Sequence, residues 1–162
     1  MYVSIGNIRW AHAMTPDAVF SLAGLAAMAG WAVLILGPRR FGWLNALPLW
    51  VLPLGLSALY AVLILTRFPG LDGGFDSLGG VRQLFADDWA LLAGWVHYLA
   101  FDLFVGAVMA RRMDAAGVSR LIQAPILFAT FMLGPLGFLL AALTELFLRG
   151  PRALASGKEH LR

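Results

Sequence analysis

The chain has 162 residues, 60% of them hydrophobic and only 13% charged, with a mean hydropathy of +0.79 and a net charge of +3. A water-soluble domain of this length needs more polar surface, and the continuous apolar runs exclude the short alternating segments of a β-barrel. The absence of cysteine excludes disulfides, thiolate catalysis and Cys-held metals. No basic stripe with interleaved aromatics marks a nucleic-acid partner.

Residues 1–13 carry one Arg and no small-residue cleavage site after an apolar core, so they read as an N-terminal arm or extension. Thr15 is the expected N-cap of the first helix, with Pro16 in its first turn. Four windows reach the length of a membrane span, near Ala18–Leu36, Leu44–Leu65, Trp89–Ala110 and Leu121–Leu148. The first stops at Gly37-Pro38-Arg39-Arg40, the third at Arg111-Arg112, the fourth at Arg149-Gly150-Pro151-Arg152. Trp31, Trp43, Trp50 and Trp89 lie toward span ends, where indoles anchor. Pro53 predicts a kink in the second span.

The longer loop, Thr66–Asp88, opens on a Gly/Asp turn cluster at residues 70–74. Leu78, Val81, Leu84 and Phe85 then recur at helical spacing, with Asp76 or Ser77 as cap. This predicts a short interfacial helix, either a connector or a lid over a ligand cavity. Asp87 and Asp88 favour the start of the third span.

In the fourth span Thr130, Gly134, Gly137, Ala141, Thr144 and Glu145 share a face suited to close packing. Pro135 frees the Phe131 carbonyl and predicts a kink, and Glu145 is expected at the interface. The expected fold class is all-α: a polytopic four-transmembrane-helix bundle over residues 14–150, with an interfacial helix between helices 2 and 3. A solvent-exposed basic tail follows at residues 151–162. Four spans put the N-terminus, the long loop and the tail on one side. The basic residues of the short loops (Arg39, Arg40, Arg111, Arg112 and Arg120) then favour the cytoplasmic side.

The third span carries the chemistry. His97 and Asp102 sit inside an apolar run, where an Asp costs roughly 2.5–3.5 kcal/mol at mid-bilayer. At about 100° per residue, Leu92, Val96, Leu99, Ala100, Leu103 and Ala107 share one arc, expected to face lipid. Gly94, Trp95, His97, Tyr98, Phe101, Asp102 and Gly106 share the opposite arc, expected to face the bundle. Tyr98 and Asp102 are four residues apart and can bond along the helix. His97 and Asp102 lie roughly 140° apart and flank a face on which a molecule or a helix could lie. Buried His and Asp suit general acid–base work. The alternative is that they cross-link helices, with Asp102 bonding Tyr98, Tyr60 or Ser57. No ligand spacing for a metal is present.

Three strings are distinctive together: Gly73-Gly74-Phe75 with Ser77-Leu78, Val81 and Leu84-Phe85; Trp95 with His97–Gly106; and Phe131–Gly137. The segments Met14–Trp31 and Gly37-Pro38-Arg39 accompany them. From Met14 to Arg149 the chain resembles the neoxanthin synthase-like family, small membrane proteins named after an abscisic-acid-deficient plant mutant. Plant members are associated with forming neoxanthin, an allenic xanthophyll, from an epoxide. This compact chain looks more like a bacterial member, which implies a bacterial inner membrane.

The resemblance implies a lipophilic carotenoid or isoprenoid ligand and a cofactor-free isomerisation. The resemblance brings no catalytic residues with it; on the chemistry of this chain's own residues, Asp102 would be the acid, His97 the base and Tyr98 the group orienting the acid. Trp95, Phe101, Tyr60, Ser57 and Thr130 would line the ligand. The alternatives are a pigment-binding or assembly subunit of a larger membrane complex, and a small transporter or proton relay. Membrane lipids and a second copy of the chain are the other expected partners.

Overall fold

The structure, a computed structural model, describes residues 15–159, with side chains through residue 147. The expected arm at residues 1–13 lies outside the described residues. Helix α1 (Pro16–Leu36) begins as its sequence dictates, with Thr15 Oγ1 accepting the Ala18 N–H at 3.2 Å. Helix α2 (Gly42–Ala46), a π turn at Leu47–Val51 and α3 (Leu52–Arg67) form one continuous helix of 26 residues. Pro53 has no N–H for the Leu49 carbonyl. The turn ahead of it widens, so that the Leu52 N–H reaches Leu47 O. Helix α4 (Leu78–Leu84) fills the long loop, and its cap Ser77 accepts the Gly80 N–H at 3.0 Å. Helix α5 (Asp88–Ala115) opens on Asp87, whose Oδ1 accepts the Trp89 and Ala90 N–H groups at 2.9 and 3.0 Å.

Helix α1, the continuous Gly42–Arg67 helix and α5 are long and apolar enough to cross a membrane. The fourth apolar run departs from expectation. Helix α6 (Arg120–Leu133) stops at Gly134, and α7 (Pro135–Glu159) starts at the next residue. Gly134 has φ +41°, in the left-handed region, and Pro135 has no N–H to continue the ladder. The chain therefore reverses instead of kinking. Near its start α6 lies beside the end of α5, where Gln123 Nε2 donates to Asp114 Oδ1 at 2.7 Å. Near its end Phe131 lies beside Tyr98. Helix α7 then returns along α5 until Glu145 Oε2 is 2.9 Å from Arg112 Nη2. The expected span Leu121–Leu148 is thus a helical hairpin whose tip meets α5 at its midpoint. Just behind the tip Gly137 lies so close to the Thr130 backbone that no Cβ fits between them.

This hairpin corrects the expected sidedness. Pro16 lies beside Asp88 at the start of α5, whereas Glu145 lies near its end. The start of α1 and the outgoing part of α7 are therefore at opposite ends of the bundle. Helix α7 runs on to Glu159, so the segment expected as a solvated tail continues the helix through that residue.

The core is built around α5. Leu92, Val96, Leu99, Ala100, Leu103 and Ala107, expected to face lipid, are all buried against α1, α3 and the hairpin. The expected inward arc is instead partly open, with Trp95, His97 and Phe101 exposed. Lipid and protein core are equally apolar, so hydrophobicity does not separate them. Small residues do, because they let helices approach closely. At Gly106 a Cβ would collide with the Trp31 ring. Trp31, expected as an interfacial anchor, is accordingly 3% exposed, with its ring 5.5 Å from that of Phe131. Trp43 and Trp50 are exposed, and Trp89 lies under the Arg67 guanidinium at 4.2 Å. Glu145, expected at the interface, is 5% exposed and paired with Arg112.

Two outcomes test this architecture. Gly106→Leu forces Trp31 off α5 and should destabilise the protein by about 1–3 kcal/mol, the usual cost of overpacking. Gly24→Leu, where the added side chain meets open space, is the control and should leave the thermal midpoint in detergent unchanged. The cysteine-free chain also permits single-cysteine labelling in sealed vesicles. Ser119→Cys and Ser156→Cys should label from one side and Asp72→Cys from the other. Labelling of position 156 together with 72 would restore a fourth span.

Candidate functional site

The partly open strip of α5 is bounded by three elements. On one edge is α3, on the other the hairpin tip, and α4 lies across the N-terminal end. His97 faces the α3 edge. Its ring centroid is 5.5 Å from Tyr60 and 4.7 Å from Phe101, on which it stacks. Helical geometry makes the second contact, because residues four apart lie one above the other.

Asp102 faces the opposite edge. Its carboxylate lies against Gly134, where an added Cβ would stand 2.7 Å from Oδ2. Oδ2 is buried and has no hydrogen-bond partner among the described residues. Tyr98, one turn earlier, is the neighbour able to reach this carboxyl. Its hydroxyl donates to the Phe131 carbonyl at 3.5 Å. That acceptor is the group that Pro135 cannot satisfy, so the break between α6 and α7 supplies Tyr98 with its partner. Trp95 extends this edge, with its ring centroid 5.3 Å from Tyr98 and 5.6 Å from Phe20 of α1.

Two cavities follow the α3–α5 seam. One, of about 210 Å³, lies under α4 between Tyr60, His97, Gly94, Phe85, Phe68 and Phe75. The other, of about 220 Å³, lies between Trp50, Pro53, Ser57, Phe101 and Phe104. The His97–Phe101 stack stands between them, with His97 lining the first and Phe101 the second. From Ala90 to Phe104 the seam follows α5 for about 20 Å at 1.5 Å per residue. Phe85 closes its upper end, with its ring lying directly on Gly94.

The residues singled out from sequence thus divide into two groups. His97, Phe101, Tyr60 and Ser57 come together on the α3 side. Tyr98, Asp102 and Trp95 come together on the side of the hairpin tip. Thr130 is fully buried in the hairpin, where Oγ1 donates to Ile126 O at 2.9 Å. His97 and Asp102 flank the same strip of α5 without touching, as their five-residue spacing requires. Sequence reasoning missed Phe85, Phe104 and Phe68 as lining residues. The one signal for Phe85 was the small Gly94, which leaves room for a ring on α5.

Chemically, the strip offers a carboxyl oxygen without a partner among the described residues, a phenol and an imidazole beside two largely apolar cavities. That set can donate and accept protons on a lipophilic molecule. A family model described as ABA DEFICIENT 4-like matches residues 18–140. No curated protein and no solved structure matches the chain. The matched stretch takes in α1 through α6, the turn at Gly134 and the start of α7, and the chain belongs to the ABA DEFICIENT 4-like family.

Proposed function

We propose that this chain is an integral membrane protein that binds an elongated carotenoid or isoprenoid along the α3–α5 seam and isomerises it by acid–base chemistry. Family membership supports the carotenoid connection. The observation that carries the site is the placement of His97 and Asp102 on the two edges of one open strip of α5, beside an aromatic channel.

Opening an epoxide to an allene leaves the molecular formula unchanged. An acid must protonate the epoxide oxygen as the C–O bond breaks, and a base must remove a proton from the adjacent polyene carbon. Asp102, in its protonated form, is the acid, and Tyr98 holds its orientation. His97 is the base. The proton gained by His97 returns to Asp102 through solvent or the product hydroxyl, which resets the site without a redox partner. A lipophilic substrate lacks an aqueous route to a closed site. The lateral opening between α3 and the hairpin tip would admit it directly from the bilayer.

The stacking of His97 on Phe101, with the Tyr60 ring tilted against it, favours a second reading. The ring would then serve as part of an aromatic platform, and the protein would hold a pigment without converting it.

Expression in carotenoid-producing cells supplied with an epoxy-carotenoid separates these readings. The isomerase reading expects a new pigment of unchanged mass. Asp102→Asn should lower its formation by about 10²–10⁴-fold, the usual contribution of a general acid, while pigment still co-purifies. Product formed by Asp102→Asn at the original rate would overturn the assignment of the acid. Ser57→Trp, far from Asp102, should fill the lower cavity and reduce co-purified pigment at least several-fold. Undiminished pigment in that variant would place the ligand elsewhere.

A further inference from the structure

At the end of α5 opposite α4, a cavity of about 380 Å³ opens between α1, α2 and α5. Leu34, Leu49 and Ala107 form its apolar floor, and Arg39 and Arg111 stand on its wall. Asp114 lies there too, but its carboxylate is already engaged. Oδ2 is 3.1 Å from Arg39 Nε, and Oδ1 accepts from Gln123 at 2.7 Å. Arg39 Nη1 donates to Asn45 Oδ1 at 3.3 Å, whereas Arg39 Nη2 is buried with no hydrogen-bond partner among the described residues. Arg111 is exposed at the rim.

Positive charge is therefore in excess. Arg120 adds to it from behind, donating to Ile35 O at 2.6 Å and Gly37 O at 3.2 Å. Burial first, and then the nearby Arg120, push the Arg39 guanidinium below its ordinary pKa against the pull of Asp114. An anion between Arg39 and Arg111 would offset both effects. The cavity also has an apolar exit. Leu49 and Trp50 line it and equally line the groove of Pro53, Leu54, Phe101 and Phe104. The Trp50 and Phe104 rings are 5.9 Å apart.

We propose that this cavity binds an anionic phospholipid, with its phosphate between Arg39 and Arg111 and one acyl chain running past Trp50 into the lower α3–α5 groove. The charge selects the head and the groove selects the chain. A free phosphate would use only the first, and a zwitterionic lipid only the second. Basic pockets among helices on the cytoplasmic side are the usual places for such headgroups. The headgroup pocket does not depend on the roles given to His97 and Asp102, whereas the acyl chain and the pigment proposed above share the lower groove and exclude each other there.

Native mass spectrometry of the delipidated full chain in detergent tests this, with phosphatidylglycerol and phosphatidylcholine of identical chains as probes. The wild type should retain phosphatidylglycerol about tenfold more strongly than phosphatidylcholine, as expected for charge-assisted contacts to phosphate. Arg111→Gln, at an exposed position, should remove most of that preference without lowering the thermal midpoint. Ala46→Trp keeps every charge but fills the cavity, and should also weaken phosphatidylglycerol. Glycerol phosphate, the head alone, should not displace the lipid at equal concentration. Equal retention of the two lipids, or retention of phosphatidylglycerol unaffected by both variants, would overturn the site. Full displacement by glycerol phosphate would overturn the acyl path.

Discussion

A turn that only glycine can make, pressed against a buried carboxylate, sets much of this structure. At Gly134 the backbone enters the left-handed region while the Asp102 carboxyl occupies the space a Cβ would need. Pro135 prevents the helix from re-forming across the turn, and the freed Phe131 carbonyl is taken by Tyr98. Three consequences follow from these few atoms. The fourth apolar run doubles back, α7 returns to the Arg112 end, and Asp102 is held at the tip of a hairpin rather than against a continuous helix. Glu145 then finds Arg112, which compensates a charge that would otherwise be costly to bury.

Parts of this architecture were legible because their causes are local. Thr15 and Pro16 announce the start of α1, and Asp87 that of α5, since a cap needs only a side-chain oxygen within two or three residues of an orphan N–H. The stop at Gly37-Pro38 and the helix at Leu78–Leu84 were readable for the same reason. The hairpin was not. A run long enough to cross a bilayer is equally long enough to enter and return, and composition is identical in both cases. Gly134-Pro135 signalled a break, but its angle depends on Asp102, 32 residues earlier in the sequence.

The inverted faces of α5 have a different cause. In water, polar residues mark the outside of a helix. Between lipid and protein there is no such contrast, and size decides: Ala93, Ala100, Gly106 and Ala107 are buried because neighbours can approach them. The large rings of Trp95 and Phe101 are left at the open strip. His97 and Asp102 were expected to flank an inward face; they lie on the two edges of a strip of α5 that opens sideways. Lateral opening is the more useful geometry for a ligand that dissolves in the bilayer, since no water-filled entrance is then required.

Charge completes the argument by giving the bundle two unlike ends. With four spans the basic residues would be divided between the sides, and the tail would oppose the short loops. The hairpin removes that conflict. Arg39, Arg40, Arg111, Arg112 and Arg120 cluster at the end where α7 returns, and Arg149, Arg152 and Lys158 follow on that helix. Arg67 and Arg82 are left at the α4 end, where Arg67 covers Trp89. The strong asymmetry favours a cytoplasmic position for the Arg39 end by the positive-inside rule. It also puts the Arg39–Arg111 cavity on the leaflet where anionic lipids are most abundant. The α4 end, with Phe85 over Gly94, would then close the channel from the opposite side. One turn beside the middle of α5 thereby determines which end of the α3–α5 seam is charged and which is capped by rings.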